Sequence, residues 1–463
     1  MVFLKKLFHT KPITHTQTST LKRCLTATDL TLLGIGTIIG AGIFVLTGIA
    51  AATQAGPAII FSYLLAGLAC GFSALAYAEL ASSVGGCGSA YGYAYAGMGE
   101  LIAWIIGWDL LLEYGMDAAA VAIGWSAYVQ DAFIALGVPL PDELTKDPFH
   151  GGIFNLPAVI IVGVIGCILS LGVKESAKAN KIIVAIKLTV IAIFIFVAAF
   201  HFNVDNWKPF FPFGVQGVVN GAGLIFFAYI GFDAVSTAAD EAVNPQKDLP
   251  KGIIASLLIC TVIYIIVAGL LTGMTNYSTL NVSSPVASAL INLGHHFVGE
   301  ILALGAIAGL TTVVLVMFYG LTRVFLAMAN DGLLPSSLTK IHKESQTPRR
   351  LILVLGSIMA VTVGLVPIND IAQIVNIGTL AAFVVVCAGV LILRYTKPDM
   401  PRPFKTPFSP IIPILGILFC CYLMSSLPLT TWISFSIWTA SGLVIYFLYS
   451  RRYSLSSKLS TQP

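Results

Sequence analysis

The chain has 463 residues, of which 57% are hydrophobic and only 10% are charged, and its formal net charge is +4. Soluble proteins carry about 25% charged residues, so this composition excludes a soluble enzyme or a nucleic-acid-binding protein. It predicts an all-α integral membrane protein. The first thirty residues are polar and basic and lack the apolar core of a cleavable leader. We therefore expect the first apolar segment to be the insertion signal.

Twelve apolar segments follow, most of them close to the roughly 17–25 residues that cross a ~30 Å bilayer core. Numbered as segments 1 to 12, they cover 28–50, 57–80, 98–129, 156–173, 179–201, 216–238, 251–274, 299–327, 351–367, 374–395, 410–427 and 429–449. Segments 11 and 12 are separated only by Pro428 and its neighbours. The sequence thus predicts twelve transmembrane helices.

Lysine and arginine determine the expected orientation, because they are enriched in cytoplasmic loops. With the N-terminus inside, 22 of the 25 basic residues fall on the cytoplasmic side. Lys146 and Lys208 fall outside, and Lys187 lies within segment 5. Both termini are therefore predicted to be cytoplasmic.

Segment 1 contains the glycine-rich stretch Ile39-Gly40-Ala41-Gly42. Glycine costs about 1 kcal/mol relative to alanine inside a helix, and an opened backbone in lipid leaves polar groups unpaired. A break is tolerable where the freed groups line a binding cavity, and a helix N-terminus there suits a carboxylate. Close helix packing is the alternative explanation of these glycines.

Segment 6 shows a similar interruption five segments later, between Gly221 and Asp233. Glycine-interrupted segments at matching positions of two halves indicate an inverted-repeat transporter. Phe226, Phe227 and Tyr229 cluster around this second break. One of these rings is a candidate lid over a ligand, and ordinary aromatic packing is the alternative.

Lys187 lies near the middle of segment 5, too far from either interface to reach water. A lysine at that depth needs a cavity or acceptors, and carbonyl groups freed by the break in segment 1 are natural acceptors. An ammonium there would occupy the position of a sodium ion, and it could also release a proton. A purely structural tie between segments 5 and 1 is the alternative.

Segment 3 carries Asp109, Glu113 and Asp117 at a spacing that places them on one helix face, directed into the protein. Glu113 is the deepest and is the candidate proton carrier or substrate counter-ion. Asp109, beside Trp108, is equally a packing anchor.

Cysteines and histidines give weaker signals. None of the eight cysteines falls in a predicted external loop, so no disulfide framework is implied. His295 and His296 fall in an external loop, where solvated rings are expected and pH sensing is the alternative.

Six motifs resemble one family along essentially the whole chain. They are IIGAGIF (38–44), GWDLLLEY (107–114), FFAYIGFDAVST (226–237), DEAVNPQKDLPKGI (240–253), LTRVFLAMANDGLLP (321–335) and PRPFKTP (401–407). In this order they are similar to the amino acid–polyamine–organocation superfamily, close to its bacterial cationic-amino-acid-transporter-like branch.

The resemblance implies a LeuT-like fold with a 5+5 inverted repeat plus two C-terminal helices. The expected parts are a cytoplasmic N-terminal segment (1–27), two five-helix repeats (28–201 and 216–395), two additional helices (410–449) and a cytoplasmic tail (450–463). Transport would proceed by alternating access around a site at the membrane midplane.

The resemblance also implies the site residues. The substrate carboxylate is expected at Ile38, Ala41, Gly42 and Ile43, and backbone carbonyls for the α-ammonium, with the closing ring, at Phe227, Ala228 and Ile230. Lys187 would replace a sodium site and imply proton coupling, with Glu113 as a second polar element. Met317 would disfavour a charged substrate tail, whereas Asp117 would favour one.

The sequence therefore predicts a secondary transporter of the cell membrane, the inner membrane of a bacterium, that couples neutral L-amino acid uptake to protons. An amino acid exchanger and a cationic amino acid transporter are the alternatives. An intramembrane enzyme is remote, because no Gly-x-Gly-Asp string occurs. We expect no cofactor, metal or sodium ion, and the sequence indicates no oligomeric state. The loop 131–155 contains no cysteine, so no disulfide-linked heavy chain is expected.

The charge asymmetry makes a topological prediction. A cysteine placed in the loop 331–350 should react with a membrane-impermeant maleimide only from the cytoplasmic side. A cysteine in the loop 131–155 is the matched control and should react from outside. Labelling of the 331–350 position in intact cells would contradict the twelve-helix topology.

Overall fold

A computed structural model describes residues 9–11, 23, 25–86, 88–171, 176–239, 241–282, 284–342, 345 and 347–454. Within these ranges the regular structure is helical, and the only β contact is an isolated parallel bridge between Leu25 and Ala242. Cys24, Cys87 and most of the predicted terminal segments lie outside the described residues.

Each predicted apolar segment contains helix. The α-helices run over Ala27–Ile38, Thr47–Ala50, Ile59–Ser83, Ser89–Gly97, Glu100–Leu110, Asp117–Ala135, Leu156–Leu171, Ser176–Phe200, Gly214–Ile225, Pro245–Met274, Pro285–Asn292, His296–Asn330, Arg349–Leu365, Ile368–Thr396, Ile411–Ser425, Leu429–Ile445 and Arg451–Tyr453. By length and composition, seven helical stretches of the described chain are able to cross a membrane. The expectation of an all-helical membrane protein is confirmed.

Four pairs of segments that stand five apart in the chain are neighbours in space. Segment 2 packs against segment 7, segment 3 against segment 8, and segment 4 against segment 9. The interrupted segments 1 and 6 also meet. This arrangement brings both interruptions to one place inside the bundle.

Glu79 anchors one end of the bundle although it is almost fully buried. Arg394 donates to both of its carboxylate oxygens, at 2.9 and 2.6 Å, and the backbone N–H of Thr406 donates at 2.7 Å. The 401–407 motif therefore folds back onto segment 2. A buried carboxylate is tolerated here because charged and backbone donors satisfy it.

The short helix Ser89–Gly97, which the hydropathy pattern does not predict, covers the end of segment 8. Its Tyr91 donates to Asp331 at 2.7 Å, and Lys11 pairs with the same carboxylate at 2.7 Å. Three separate parts of the chain thus meet at this carboxylate.

A tryptophan stack joins segment 12 to segment 3. The rings of Trp104 and Trp108 are 5.9 Å apart, and those of Trp108 and Trp438 are 4.8 Å apart. The indole N–H groups of Trp104 and Trp108 donate to the carbonyls of Gly442 and Trp438 at 2.8 and 3.0 Å. Segment 12 is thereby held against segment 3 by stacking and by hydrogen bonds.

Candidate functional site

The predicted break in segment 1 is present. The helix Ala27–Ile38 ends at Ile39, whose φ of −74° and ψ of 92° are extended. Helical backbone then resumes, with π-helical turns over Gly42–Leu46. The first N–H groups of a helix have no acceptor within that helix. Those near Ala41 and Gly42 are therefore the donors that the break provides.

Segment 6 is also broken, a few residues later than its first glycines suggest. The helix Gly214–Ile225 is followed by a 3-10 turn over Phe226–Tyr229, by Ile230 with ψ 139°, and by Gly231 with φ +111°. Residues with a side chain rarely adopt that conformation, so glycine is needed there. Gly221 instead lies in regular helix, where a Cβ would approach Ser62 Oγ to 2.9 Å.

The two breaks are in direct contact. A Cβ atom on Gly42 would overlap the Cα and Cβ atoms of Ala228, so glycine is required for this approach. The Thr37 hydroxyl lies 3.1 Å from the carbonyl oxygen of Gly231. Together with the bridge between residues 25 and 242, which flank the two segments, these contacts join segments 1 and 6 and their flanking residues at three places.

Tyr264 of segment 7 bridges the two breaks and was not among the predicted site residues. Its hydroxyl lies 2.6 Å from the carbonyl oxygen of Ile38 and 2.9 Å from that of Ala228. A hydroxyl has a single proton to donate, so it serves one of these two carbonyls at a time. The signal in the sequence is a lone phenol within an apolar segment.

The eight residues predicted to bind substrate are all buried in this structure. Ile38, Ala41, Gly42, Ile43, Phe227, Ala228, Ile230 and Met317 all belong to the interior around the two breaks. The carbonyl of Phe227 accepts from the N–H of Ile230 at 3.3 Å, and that of Ala228 faces Tyr264. The site is closed from solvent, and two of its acceptors are already engaged.

Segment 8 presents two apolar side chains to the breaks, four residues apart. A Cβ on Gly231 would lie 2.9 Å from the Met317 methyl group, and a Cβ on Gly40 would lie 3.3 Å from Val313. Met317 therefore borders the break in segment 6, and Val313 borders the break in segment 1. The sequence alone singled out Met317 but not Val313.

Lys187 is completely buried, and its ammonium contacts the break in segment 1. Its Nζ lies 2.9 Å from the carbonyl oxygen of Gly36 and 2.6 Å from that of Ile39. Gly309 of segment 8 makes room for the side chain, because a Cβ there would lie 2.7 Å from the Lys187 Cε. The contact expected from the sequence is confirmed, and the role in coupling stays a prediction.

Glu113 belongs to a second, separate group of buried polar side chains. It is completely buried in a π-helical turn, Leu111–Met116, and lies within electrostatic range of Asp117 and Asp233. Neither of its carboxylate oxygens has a well-formed hydrogen bond among the described residues. Within the same residues, no contact joins Glu113 to Lys187. The structure therefore does not bring the two predicted coupling residues together.

Asp233 ties this acidic group to the break in segment 6. Tyr114, next to Glu113 in the chain, donates a hydrogen bond to the Asp233 carboxylate. The Ser89 hydroxyl lies 3.0 Å from that of Ser236 and extends the same network. Displacement of segment 6 relative to segment 3 would therefore change the surroundings of Glu113.

The chain is similar in sequence to known transport proteins. The family model described as "Amino acid permease" matches residues 25–450. The branched-chain amino acid permease BcaP of Bacillus subtilis is 50% identical over 460 residues, 98% of each chain. A methylthioribose transporter of the same organism is 47% identical over 461 residues, 98% of this chain and 100% of its own length. Cationic amino acid transporter 4, vacuolar, of Arabidopsis thaliana is 37% identical over 82% of this chain and 64% of its own length.

The Tyr264 bridge makes a prediction about stability. Replacing Tyr264 by phenylalanine leaves the buried carbonyls of Ile38 and Ala228 without their shared donor. An unsatisfied buried acceptor costs about 1–3 kcal/mol, so the melting temperature of the ligand-free protein in detergent should fall. Tyr395→Phe is the control, because Tyr395 is 89% exposed. Equal melting of the two variants would show that the bridge does not stabilise this state.

Proposed function

The chain belongs to the amino acid permease family within the amino acid–polyamine–organocation superfamily, and we propose that it couples uptake of neutral L-amino acids to protons. It is a multi-pass membrane transporter and not an enzyme. One observation carries the proposal: the Lys187 ammonium donates hydrogen bonds to carbonyl groups that the break in segment 1 leaves without helical partners.

The proposed architecture is a LeuT-like fold of twelve transmembrane helices in the cell membrane. Residues 28–201 and 216–395 form two inverted repeats, 410–449 add two helices, and both termini are cytoplasmic. The pairing of segment 1 with 6, 2 with 7, 3 with 8 and 4 with 9 supports this repeat. In such a fold, a two-fold axis in the membrane plane relates each helix of one repeat to its equivalent in the other repeat. The binding site lies at the interface of the two repeats.

The substrate binds between the two breaks. Its carboxylate accepts from the helix N-terminus at Ala41, Gly42 and Ile43, where the helix dipole favours an anion. Its ammonium donates to the carbonyls around Phe227, Ala228 and Ile230. Tyr264 then has a place in binding. When the substrate ammonium donates to the Ala228 carbonyl, the Tyr264 hydroxyl still donates its proton to the Ile38 carbonyl. The hydroxyl oxygen lies 2.6 Å from that carbonyl oxygen.

The side chain of the substrate faces Met317, which supports a neutral, apolar amino acid. The 50% identity to a branched-chain amino acid permease supports the same class. The buried acids Glu113, Asp117 and Asp233 are the observation that favours the cationic alternative. They lie beside the same break, where they would pair with a basic substrate tail.

Protons are the coupling ion in this proposal, because the position that sodium would take is filled. Carbonyl groups of unwound helices coordinate Na⁺ in related folds, and here the Lys187 ammonium takes that position. Movement of segment 1 away from segment 5 removes the acceptors of Lys187. The affinity of Lys187 for its proton then differs between the two access states. Such a difference is the requirement for coupling.

A second candidate rests on the relative named as a methylthioribose transporter. A methylthio sugar has neither an α-carboxylate nor an α-ammonium, so it would leave the donors and acceptors of both breaks unused. A melting screen of the twenty amino acids and methylthioribose separates the two candidates, because a ligand stabilises the protein that binds it. Exchange without net uptake would appear as transport only into vesicles preloaded with amino acid.

Lys187→Ala tests the coupling. Without the ammonium, the variant should lose accumulation driven by a pH gradient in proteoliposomes, whether or not ligand-induced stabilisation survives. Lys181→Ala is the matched control on the same helix, since Lys181 is half-exposed and pairs with Asp29. Sodium should not affect the parent protein. Sodium-dependent uptake by the parent, or normal pH-driven uptake by Lys187→Ala, would refute the mechanism.

Met317→Ser tests the side-chain pocket. The smaller, polar side chain should admit longer or cationic substrates, raising the affinity for arginine relative to leucine by about tenfold, or about 1.4 kcal/mol. Met317→Phe should instead narrow the substrate range. Met328→Ser is the control on the same helix, because Met328 packs against Gly107. A profile unchanged in both Met317 variants would show that this residue does not line the pocket.

A further inference from the structure

Two histidines from different segments meet at the C-terminal end of segment 5, the end opposite Lys181. His201 directly follows the helix Ser176–Phe200, and His295 directly precedes the helix His296–Asn330. Their Nε2 atoms are 3.0 Å apart, and both rings are only partly exposed. His295 is therefore not the freely solvated side chain that its position in the sequence suggests, whereas its neighbour His296 is exposed.

The orientation of His201 is fixed by its other nitrogen. Its Nδ1 lies 3.0 Å from the carbonyl oxygen of Val197, which accepts only an N–H. The proton of a neutral His201 ring therefore resides on Nδ1, and the lone pair on Nε2 points toward His295. A carbonyl behind the imidazole is also the usual arrangement that orients histidine ligands of metals.

The two ring nitrogens lie close to the spacing of two ligands of one ion. Their centroids are 4.5 Å apart at 77°, too close for rings aligned end to end with 3.0 Å between their nitrogens. The rings consequently meet at an angle. Two nitrogens bound to one tetrahedral Zn²⁺ at about 2.0–2.1 Å lie about 3.3 Å apart. The two nitrogens would therefore have to move apart only slightly, from 3.0 Å, to bind one ion.

We propose that His201 and His295 bind a divalent transition-metal cation of the zinc class between the ends of segments 5 and 8. Imidazole nitrogens suit Zn²⁺, Ni²⁺ and Cu²⁺, whereas Mg²⁺ prefers oxygen. No group of three or more His, Cys, Asp or Glu side chains converges on a metal position within the described residues. Water completes the coordination shell, and the ion exchanges with the medium.

The bound ion would connect the two segments that surround Lys187. From Lys187 to His201 the helix rises about 21 Å, and Lys187 itself packs against Gly309 of segment 8. A metal bridge between His201 and His295 would therefore hold segments 5 and 8 together at a second place, in addition to the contact of Lys187 with Gly309. The ion would stabilise the arrangement seen in this structure over any arrangement that separates the two rings.

Zinc binding to the full chain in detergent tests the proposal without any measurement of transport. The protein is purified without a polyhistidine tag and stripped with a chelator that is then removed. Zinc chloride should raise the melting temperature of the parent by mass action. The half-saturating zinc concentration should rise by about tenfold or more in His201→Ala and in His295→Ala. His296→Ala, which removes the exposed neighbouring ring, should behave as the parent, and magnesium should have no effect.

A second pair of variants protects the test against misfolding. His201→Gln and His295→Gln keep a polar side chain of similar length and should lose the zinc effect even if the alanine variants unfold. Equal zinc responses in the parent and all His201 and His295 variants, or a loss only in His296→Ala, would overturn the assignment.

Discussion

Backbone groups left unpaired by two broken helices are the constraint on which the rest of this structure depends. Each such group costs several kcal/mol in a bilayer core unless a partner replaces the missing helical bond. Lys187 and Tyr264 reach the breaks from segments 5 and 7, and Thr37 contributes from segment 1 itself. Polar side chains that would be costly elsewhere in these segments are located where a helix lacks its own hydrogen bonds.

This arrangement has a consequence for affinity. In the proposed binding mode, the partners that the breaks have in this structure are the ones that a substrate must replace or rearrange. Binding free energy is therefore a difference between two sets of hydrogen bonds, which is small even when each bond is strong. Weak net binding is useful to a transporter, because a substrate that binds both access states with modest affinity also leaves. The Tyr264 hydroxyl illustrates this small difference, because its single proton can serve either of two carbonyls.

Much of the fold follows from the sequence, because lipid permits few alternatives. The apolar segments, the break at Ile39 and the contact of Lys187 with freed carbonyls follow from hydropathy, glycine placement and the cost of an unpaired charge. Tyr264 could not be assigned in this way, because a phenol within a helix is also ordinary core. The separation of Glu113 from Lys187 depends on which faces of segments 3 and 5 turn toward segment 1. Hydrophobic periodicity is too weak to specify those faces when a segment is apolar on every side.

The stacked indoles of Trp104, Trp108 and Trp438 form an intrinsic spectroscopic probe. Aromatic transitions of rings held 4.8 and 5.9 Å apart in a chiral frame couple to one another. This cluster comprises three of the six tryptophans in the chain. The tryptophan contribution to the near-ultraviolet circular dichroism of the protein is therefore weighted toward the junction of segments 3 and 12. Detachment of the last helix would change that spectrum even while the helical content stays constant.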